Sequence, residues 1–171
     1  MDLEKALKTA IDYENKVRDT YQEAGQKAAS DTGRRVFNVL CKEEQGHINY
    51  LNSRLDQWRK TGKITVEKLG TAIPPRAAID EAVARLKEKM AGQASGKHDV
   101  ELEMLKRALD VEIETSNFYK EMVRTLDAEG KQLFERFVEI EEGHQAIVRA
   151  EIDHLVGSGF WFDIQEFSTE M

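Results

Sequence analysis

The sequence contains few of the residues that cross-link or interrupt a chain. Its single cysteine, Cys41, excludes an internal disulfide and a metal site built from four cysteines. Only two of the 171 residues are proline, and 33% are charged with both signs mixed along the chain, which favours a helical protein over a β-sheet or disordered one. A chain of this length suits one domain with a substantial core, so we expect a single domain over residues 1–171.

Long apolar runs are absent as well. No run approaches the length that crosses a membrane, and the first residues, MDLEKALKTA, contain no apolar segment of a secretory signal. The net charge of −7 argues against nucleic acid as the main partner. We therefore expect a cytoplasmic protein that binds neither nucleic acid nor a membrane.

Helical periodicity is abundant. Apolar residues recur at helical spacing in four long blocks, at about 2–29, 34–60, 98–126 and 131–156. The first block resembles the third and the second resembles the fourth, as in AIDYENKVRDTY and ALDVEIETSNFY, so the chain is expected to fold as two similar helical hairpins.

A long connector, residues 61–97, separates the two hairpins. Pro74-Pro75 is expected to open a short helix over 77–90, which Ala91-Gly92 and Gly96 would close. The connector is longer than a hairpin turn needs and suits a crossover along a bundle. The expected fold is all-α, and the aromatic, acidic tail 157–171 could cap the bundle or a dimer partner.

A Glu-x-x-His motif lies in the middle of the second helical block, and another lies in the middle of the fourth. In each hairpin a lone Glu lies on the apolar stripe of the preceding helix. The six residues are Glu14, Glu44, His47, Glu112, Glu141 and His144. Residues three apart share a helix face, so each motif can present both side chains to one point. Within each hairpin the lone Glu and the motif lie at similar distances from the turn, so all should meet at one height.

Buried carboxylates are costly unless positive charge is buried with them. Four carboxylates and two neutral imidazoles would balance two divalent cations. Hard oxygen donors with one imidazole per ion favour iron or manganese over the thiolate-rich sites that zinc often occupies in structural roles. A Glu from each of two helices with Glu-x-x-His from each of the other two is the known ligand pattern of di-iron and di-manganese carboxylate bundles.

These motifs resemble the rubrerythrin branch of the ferritin-like superfamily, over the four helical blocks. The resemblance implies a ferritin-like four-helix bundle, often a homodimer, in which a pair of iron ions reduces hydrogen peroxide. By position, it implies that Glu14 and Glu112 are the single-Glu ligands, that Glu44 and Glu141 bridge, and that His47 and His144 are the imidazole ligands. Tyr21 and Tyr119 lie where the family often has tyrosines that donate to ligand carboxylates, although plain core tyrosines fit nearly as well.

Two departures from the family pattern change what the resemblance implies. Rubrerythrins carry a rubredoxin-like module with paired Cys-x-x-Cys motifs, and this chain has one cysteine, so electrons must come from a separate donor protein. Rubrerythrins also tend to have a further Glu three residues after the third-helix ligand, where this chain has Thr115. The site is therefore expected to resemble a symmetrical six-ligand centre.

Other chemistry-bearing residues have plainer interpretations. Cys41 is expected to be a buried small apolar residue. Glu43 and Glu142 adjoin the motif residues but are expected to be exposed. His98 and His154 are expected at the surface or at helix ends.

The sequence therefore predicts a rubrerythrin-like oxidoreductase that takes hydrogen peroxide, or dioxygen, as oxidant and defends against oxidative stress. A ferroxidase that stores or detoxifies iron is the first alternative. A non-catalytic helical interaction module is the second, and it predicts no tightly bound metal.

Overall fold

The computed structural model describes residues 1–90 and 98–167, with side chains described except at 88–90 and 166–167. This part of the chain contains five α-helices, one short 3₁₀-helix and no strand. The helices are α1 (Leu3–Lys27), α2 (Asp31–Thr61), α3 (Arg76–Met90), α4 (Asp99–Thr125) and α5 (Ala128–Ser158), followed by the 3₁₀-helix Ile164–Phe167. The expected all-α class is confirmed, and a short helix does follow Pro74-Pro75.

The helix ends are set by ordinary capping chemistry. Ser30 caps α2 by accepting the backbone N–H of Gly33 at 3.3 Å, so α2 begins earlier than the expected residue 34. Helix α5 also begins earlier than expected, directly after Asp127. Gly62 and Gly159 end α2 and α5 with positive φ angles of 68° and 78°, a conformation that glycine adopts without strain. The expected closure of the connector at residues 91–97 lies outside the described residues.

The four long helices pack into a helical bundle. Helix α1 packs against α2 and α4, and α4 packs against α5, while α3 lies on α5. Helices α1 and α4 are antiparallel, because Tyr21 reaches Glu112 while Tyr119 reaches back to Glu14. The backbone N–H of Ser30 donates to Glu101 at 2.9 Å, which places the start of α4 beside the start of α2.

The interior contains two apolar clusters with a polar layer between them. One cluster includes Val17, Phe37 and Leu40, and the other includes Leu51 and Phe137. Along α2 the order is Leu40, Glu44, His47 and Leu51, so the motif lies between the two clusters. Burial of apolar surface on both sides therefore fixes the height and the surroundings of the polar layer.

The described part of the C-terminal tail packs over one end of the helical bundle of its own chain. The ring of Trp161 meets the ring of Phe37 edge-on at 5.3 Å, and a Cβ added at Gly33 would lie 2.7 Å from the Trp161 ring. The backbone N–H of Phe162 donates to Glu151 at 3.0 Å. Glycine at position 33 is therefore what allows the tryptophan to close this end of the core. The last residues, 168–171, lie outside the described part.

Within the described residues, none of the helices combines the length and apolar character that a membrane span requires.

Candidate metal centre

The structure brings the six motif residues together in the polar layer. All are at most 1% exposed: Glu14, Glu44, His47, Glu112, Glu141 and His144. Helices α1 and α4 each contribute one carboxylate, and α2 and α5 each contribute a Glu and a His from adjacent turns. Periodicity places these residues on the inner faces, and the hairpin turns place them at one height, as the sequence predicts.

The donor atoms form two overlapping groups, each able to hold a metal ion. One contains Glu14, Glu44, His47 and Glu141, and the other contains Glu44, Glu112, Glu141 and His144. Within each group, one ligand atom from every residue lies within 4.8 Å of the others. Glu44 and Glu141 belong to both groups, which is the position of carboxylates shared between two adjacent ions.

The imidazoles lie close to the carboxylates, and one of these contacts is a hydrogen bond, between His47 Nδ1 and Glu14 Oε2 at 3.1 Å. His144 Nδ1 lies 2.7 Å from Glu44 Oε1, and His47 Nδ1 lies 2.9 Å from Glu44 Oε2. Both Glu44 oxygens nonetheless lack a hydrogen-bond partner of acceptable geometry among the described residues. The hydrogen bonds within the centre therefore leave most of its donor atoms unsatisfied, which fits atoms that could hold a metal ion.

Several other buried polar atoms at the centre are also unpartnered within the described part of the chain. They are both Glu141 oxygens, Glu112 Oε2, His47 Nε2 and both His144 nitrogens. Buried polar atoms are usually satisfied, and an unsatisfied one costs about 1–3 kcal/mol. The concentration of such atoms among carboxylate and imidazole donors fits bound divalent cations. The donor set contains no thiolate and suits iron or manganese.

Two tyrosines hold the outer carboxylates from opposite sides. The hydroxyl of Tyr21 donates to Glu112 Oε1, and that of Tyr119 donates to Glu14 Oε1. Each bond joins α1 to α4, and the pair follows the internal repeat of the sequence. Burial, with the carboxylate charge beside each ring, raises the pKa of both tyrosines well above the usual range, so both remain hydrogen-bond donors.

The carboxyl groups respond differently to burial in the absence of bound metal. Burial and the charge of Glu44 raise the pKa of Glu14 to about 8. Burial and the charge of Glu112 raise the pKa of Glu141 well above its usual range. Burial also raises the pKa of Glu44, but the imidazoles of His144 and His47 outweigh it and hold that pKa well below the usual range.

The two imidazoles balance these charges. Burial alone would lower the pKa of His47, but the carboxylates of Glu44 and Glu14 outweigh it and raise the pKa to about 10. For the same reason, with Glu44 as the main partner, the pKa of His144 lies well above its usual range. Protons therefore supply in the metal-free protein the positive charge that cations would supply when bound.

Glu43 is the residue at the centre that the sequence interpretation missed. It was expected to be exposed, but its side chain is only 13% exposed and its Oε2 lies 3.7 Å from His144 Nε2. It also forms a third candidate group with His47 and His144. Burial raises its pKa, but His144, Thr71 and the Ala72 amide outweigh this and lower it to about 2. Glu142 is 41% exposed.

The remaining histidines differ from their expected environments. His98 begins α4, as expected of a helix-end residue, but its Nδ1 does have a carboxylate partner, Glu101 Oε2 at 2.7 Å. His154 is not at the surface; its side chain is buried against Phe162, with Nδ1 2.8 Å from Ser158 Oγ. The tail, whose path the sequence does not fix, buries this residue.

Cys41 is less buried than expected. Its burial is intermediate, and it packs at the edge of one apolar cluster. It also lines a surface groove between α1 and α2. Burial raises the pKa of its thiol, which argues against a reactive thiolate.

Together, the fold and the centre define a class: helical bundles with a buried cluster of carboxylates and imidazoles that could hold metal ions. The chain matched no family model, no curated protein and no solved structure in comparisons with each.

Proposed function

We propose that this chain is a rubrerythrin-like di-iron protein that reduces hydrogen peroxide in defence against oxidative stress. The observation that carries the proposal is the pair of donor groups sharing Glu44 and Glu141 in the dry interior. Unpartnered donor atoms at the same place support bound cations over a purely structural polar cluster.

The proposal includes the fold, which we take to be a ferritin-like four-helix bundle with a crossover connector. Helix α2 runs antiparallel to α1, α1 runs antiparallel to α4, and the start of α4 lies beside the start of α2. The chain must therefore travel the length of the bundle between the end of α2 and the start of α4. Helix α3, packed along α5, accounts for part of that path. This arrangement supports the proposal, because ferritin-like bundles have one long crossover connection.

Each ion would have its own pair of residues and two shared carboxylates. Glu14 and His47 would hold one ion, Glu112 and His144 would hold the other, and Glu44 and Glu141 would lie between them. When bound and reduced, the two iron ions would supply the two electrons that cleave the O–O bond of hydrogen peroxide. The reaction takes up two electrons and two protons and releases two waters.

The surrounding side chains would orient the ligands and exclude bulk water. Tyr21 and Tyr119 fix Glu112 and Glu14 by donating to Oε1 of each, so Oε2 would be the coordinating atom. Glu112 Oε2 has no hydrogen-bond partner among the described residues, whereas Glu14 Oε2 lies 3.1 Å from His47 Nδ1, a contact that coordination would replace. The ring of Phe137 meets His47 edge-on at 5.5 Å and closes one side of the centre. Oriented ligands in a dry cavity are what a reactive metal pair requires.

The route for the oxidant would be a cleft of about 780 Å³ between the connector and α5. It is lined in part by Thr71 and Ala72, the residues that contact Glu43 beside His144. As further parts of this proposal, the electron donor is a separate protein and the chain acts as a cytoplasmic homodimer.

Stopped-flow oxidation of the anaerobically prepared, iron-loaded protein tests the proposed activity. We expect hydrogen peroxide to oxidise the reduced centre at least about tenfold faster than dioxygen at equal concentration, a difference of about 1.4 kcal/mol in barrier. Faster oxidation by dioxygen, together with many irons per chain in a large assembly, would favour the ferroxidase alternative.

A further inference from the structure

The two ion positions are not equivalent, and the difference comes from one side chain outside the six. Building on the proposed metal centre, we infer that Glu43 is a positioning residue for the ion held by His144. Its carboxylate takes the Nε2–H of the His144 ring, which leaves Nδ1 as the coordinating nitrogen.

The His144 ring lies between two carboxylates on opposite sides. Its Nδ1 is 2.7 Å from Glu44 Oε1, inside the cluster of candidate ligands, and its Nε2 is 3.7 Å from Glu43 Oε2. The Nε2 atom is buried and has no hydrogen-bond partner among the described residues. The 3.7 Å separation is longer than a hydrogen bond, and a movement of less than about 1 Å closes it. A carboxylate behind a metal-bound imidazole is a common arrangement that fixes the tautomer and raises ligand basicity.

Glu43 is itself held from the connector. The hydroxyl of Thr71 donates to Glu43 Oε2 at 2.5 Å, and the backbone N–H of Ala72 donates to Oε1 at 2.9 Å. Both carboxylate oxygens are therefore engaged, and the side chain is held at the edge of the centre. The connector thus contributes to the environment of an ion whose candidate ligands all lie on the long helices.

The internal repeat does not reproduce Glu43 in the other half of the chain. When the two repeats are aligned, Glu44 corresponds to Glu141 and His47 corresponds to His144. Glu43 then corresponds to Ile140, which is apolar and 3% exposed. His47 Nε2 is likewise without a hydrogen-bond partner in the described part of the chain. Glu43 Oε2 lies 3.7 Å from His144 Nε2, and an oxygen of Glu43 is also within 4.8 Å of a His47 nitrogen. Among the described residues, Glu43 thus makes a close contact with His144 alone of the two imidazoles, so the two ions should bind with different affinities.

Calorimetric titration of the full-length, metal-free protein with Fe²⁺ under anaerobic conditions tests this role. We expect Glu43→Ala to weaken one of the two binding steps by about 10–100-fold and to leave the other step unchanged. Glu43→Gln keeps an acceptor oxygen and should weaken the same step less. Thr71→Val, which removes the hydroxyl that holds Glu43, should also act on that step. Glu142→Gln, next to a ligand but more exposed, is the matched control and should change neither step.

Thermal unfolding of each metal-free variant shows whether it folds, and if Glu43→Ala does not, Glu43→Gln and Thr71→Val decide. Unchanged binding in the folded Glu43 variants, or equal weakening of both steps, would overturn the positioning role. Complete loss of one ion in Glu43→Gln would also overturn it, because Glu43 would then be a ligand. A wild-type protein that binds no pair of ions would overturn the metal centre itself, and this role with it.

Discussion

At the scale of single residues, the carboxylates and imidazoles of the centre satisfy only part of one another's hydrogen-bonding capacity. In the metal-free protein, Glu14 and His47 carry protons at neutral pH, because their pKa values rise to about 8 and about 10. Coordination requires the same groups without those protons. Metal binding should therefore release protons and become tighter as the pH rises.

The same shifts determine how the stability of the metal-free protein depends on pH. Glu14 has a folded pKa of about 8 against an unfolded value of 4.5, and His47 has about 10 against 6.5. Between those limits the folded state binds more protons than the unfolded state, so stability falls as the pH rises. We expect Tm to fall by several degrees between pH 6 and pH 9 in the presence of a chelator. A metal-free Tm that rises over this range would contradict these protonation states.

The two tyrosines make a second prediction at this scale. Tyr119→Phe leaves Glu14 Oε1 without its donor in a buried site, and should lower the free energy of unfolding by about 1–3 kcal/mol. It should also weaken metal binding, because Glu14 is then less well oriented. Denaturant titration and calorimetry measure the two effects. Tyr50→Phe, which loses only an exposed bond to the Glu67 carbonyl, is the control and should change metal binding little. Equal effects of the two substitutions would argue against an orienting role.

At the scale of elements, two equivalent glycines experience different surroundings. Gly46 and Gly143 each precede a motif histidine, on α2 and α5. A Cβ at Gly46 would meet nothing within 4 Å, whereas a Cβ at Gly143 would lie 3.0 Å from the carbonyl oxygen of Pro74. A side chain at position 143 would therefore require the connector to shift by a few tenths of an ångström away from α5.

We expect Gly46→Ala to stabilise the protein by up to about 1 kcal/mol, because alanine favours a helix. Gly143→Ala should give no such gain, because displacement of the connector costs about 1–3 kcal/mol. Denaturant unfolding of both variants measures the difference. Equal stabilisation by the two substitutions would mean that the connector does not press on α5.

The helices could be predicted from the sequence, because local patterns determine them. Contacts between segments that are distant in the sequence could not. Apolar periodicity predicts the long helices and places the four carboxylates and two histidines on their inner faces. The sequence predicts the ends of helices less closely, because a residue such as Ser30 fits both a turn and a helix cap. Glu43 was assigned to the surface because its partners, Thr71 and Ala72, come from the connector, whose path no spacing rule fixes. His154 lies near the end of α5, as expected of a helix-end residue, but it is buried because the tail covers it.

At the scale of the whole molecule, the unpaired polar atoms of the polar layer lower the stability of the metal-free protein. Bound metal would join the four long helices and raise that stability. Saturation at about a thousand times the dissociation constant adds about 4 kcal/mol of stability. For a chain of this size, that corresponds to a rise in Tm of roughly 10 °C. Calorimetric melting with and without Fe²⁺ under anaerobic conditions measures the rise. A Tm that does not respond to iron or manganese would favour a non-catalytic helical module.

Metal stoichiometry tests the central claim, that six buried side chains hold two ions, most directly. The comparison is between the wild-type protein and Glu141→Gln, because Glu141 belongs to both donor groups and glutamine resembles its protonated, metal-free state. Glu139→Gln, 68% exposed on the same helix, is the control.

Anaerobic titration with Fe²⁺, followed by metal analysis after gel filtration, should give two ions per chain for the wild type and the control. Glu141→Gln should lose the pair, with affinity lower by more than about 100-fold. Two tightly bound ions in Glu141→Gln, or none in the wild type, would contradict the account.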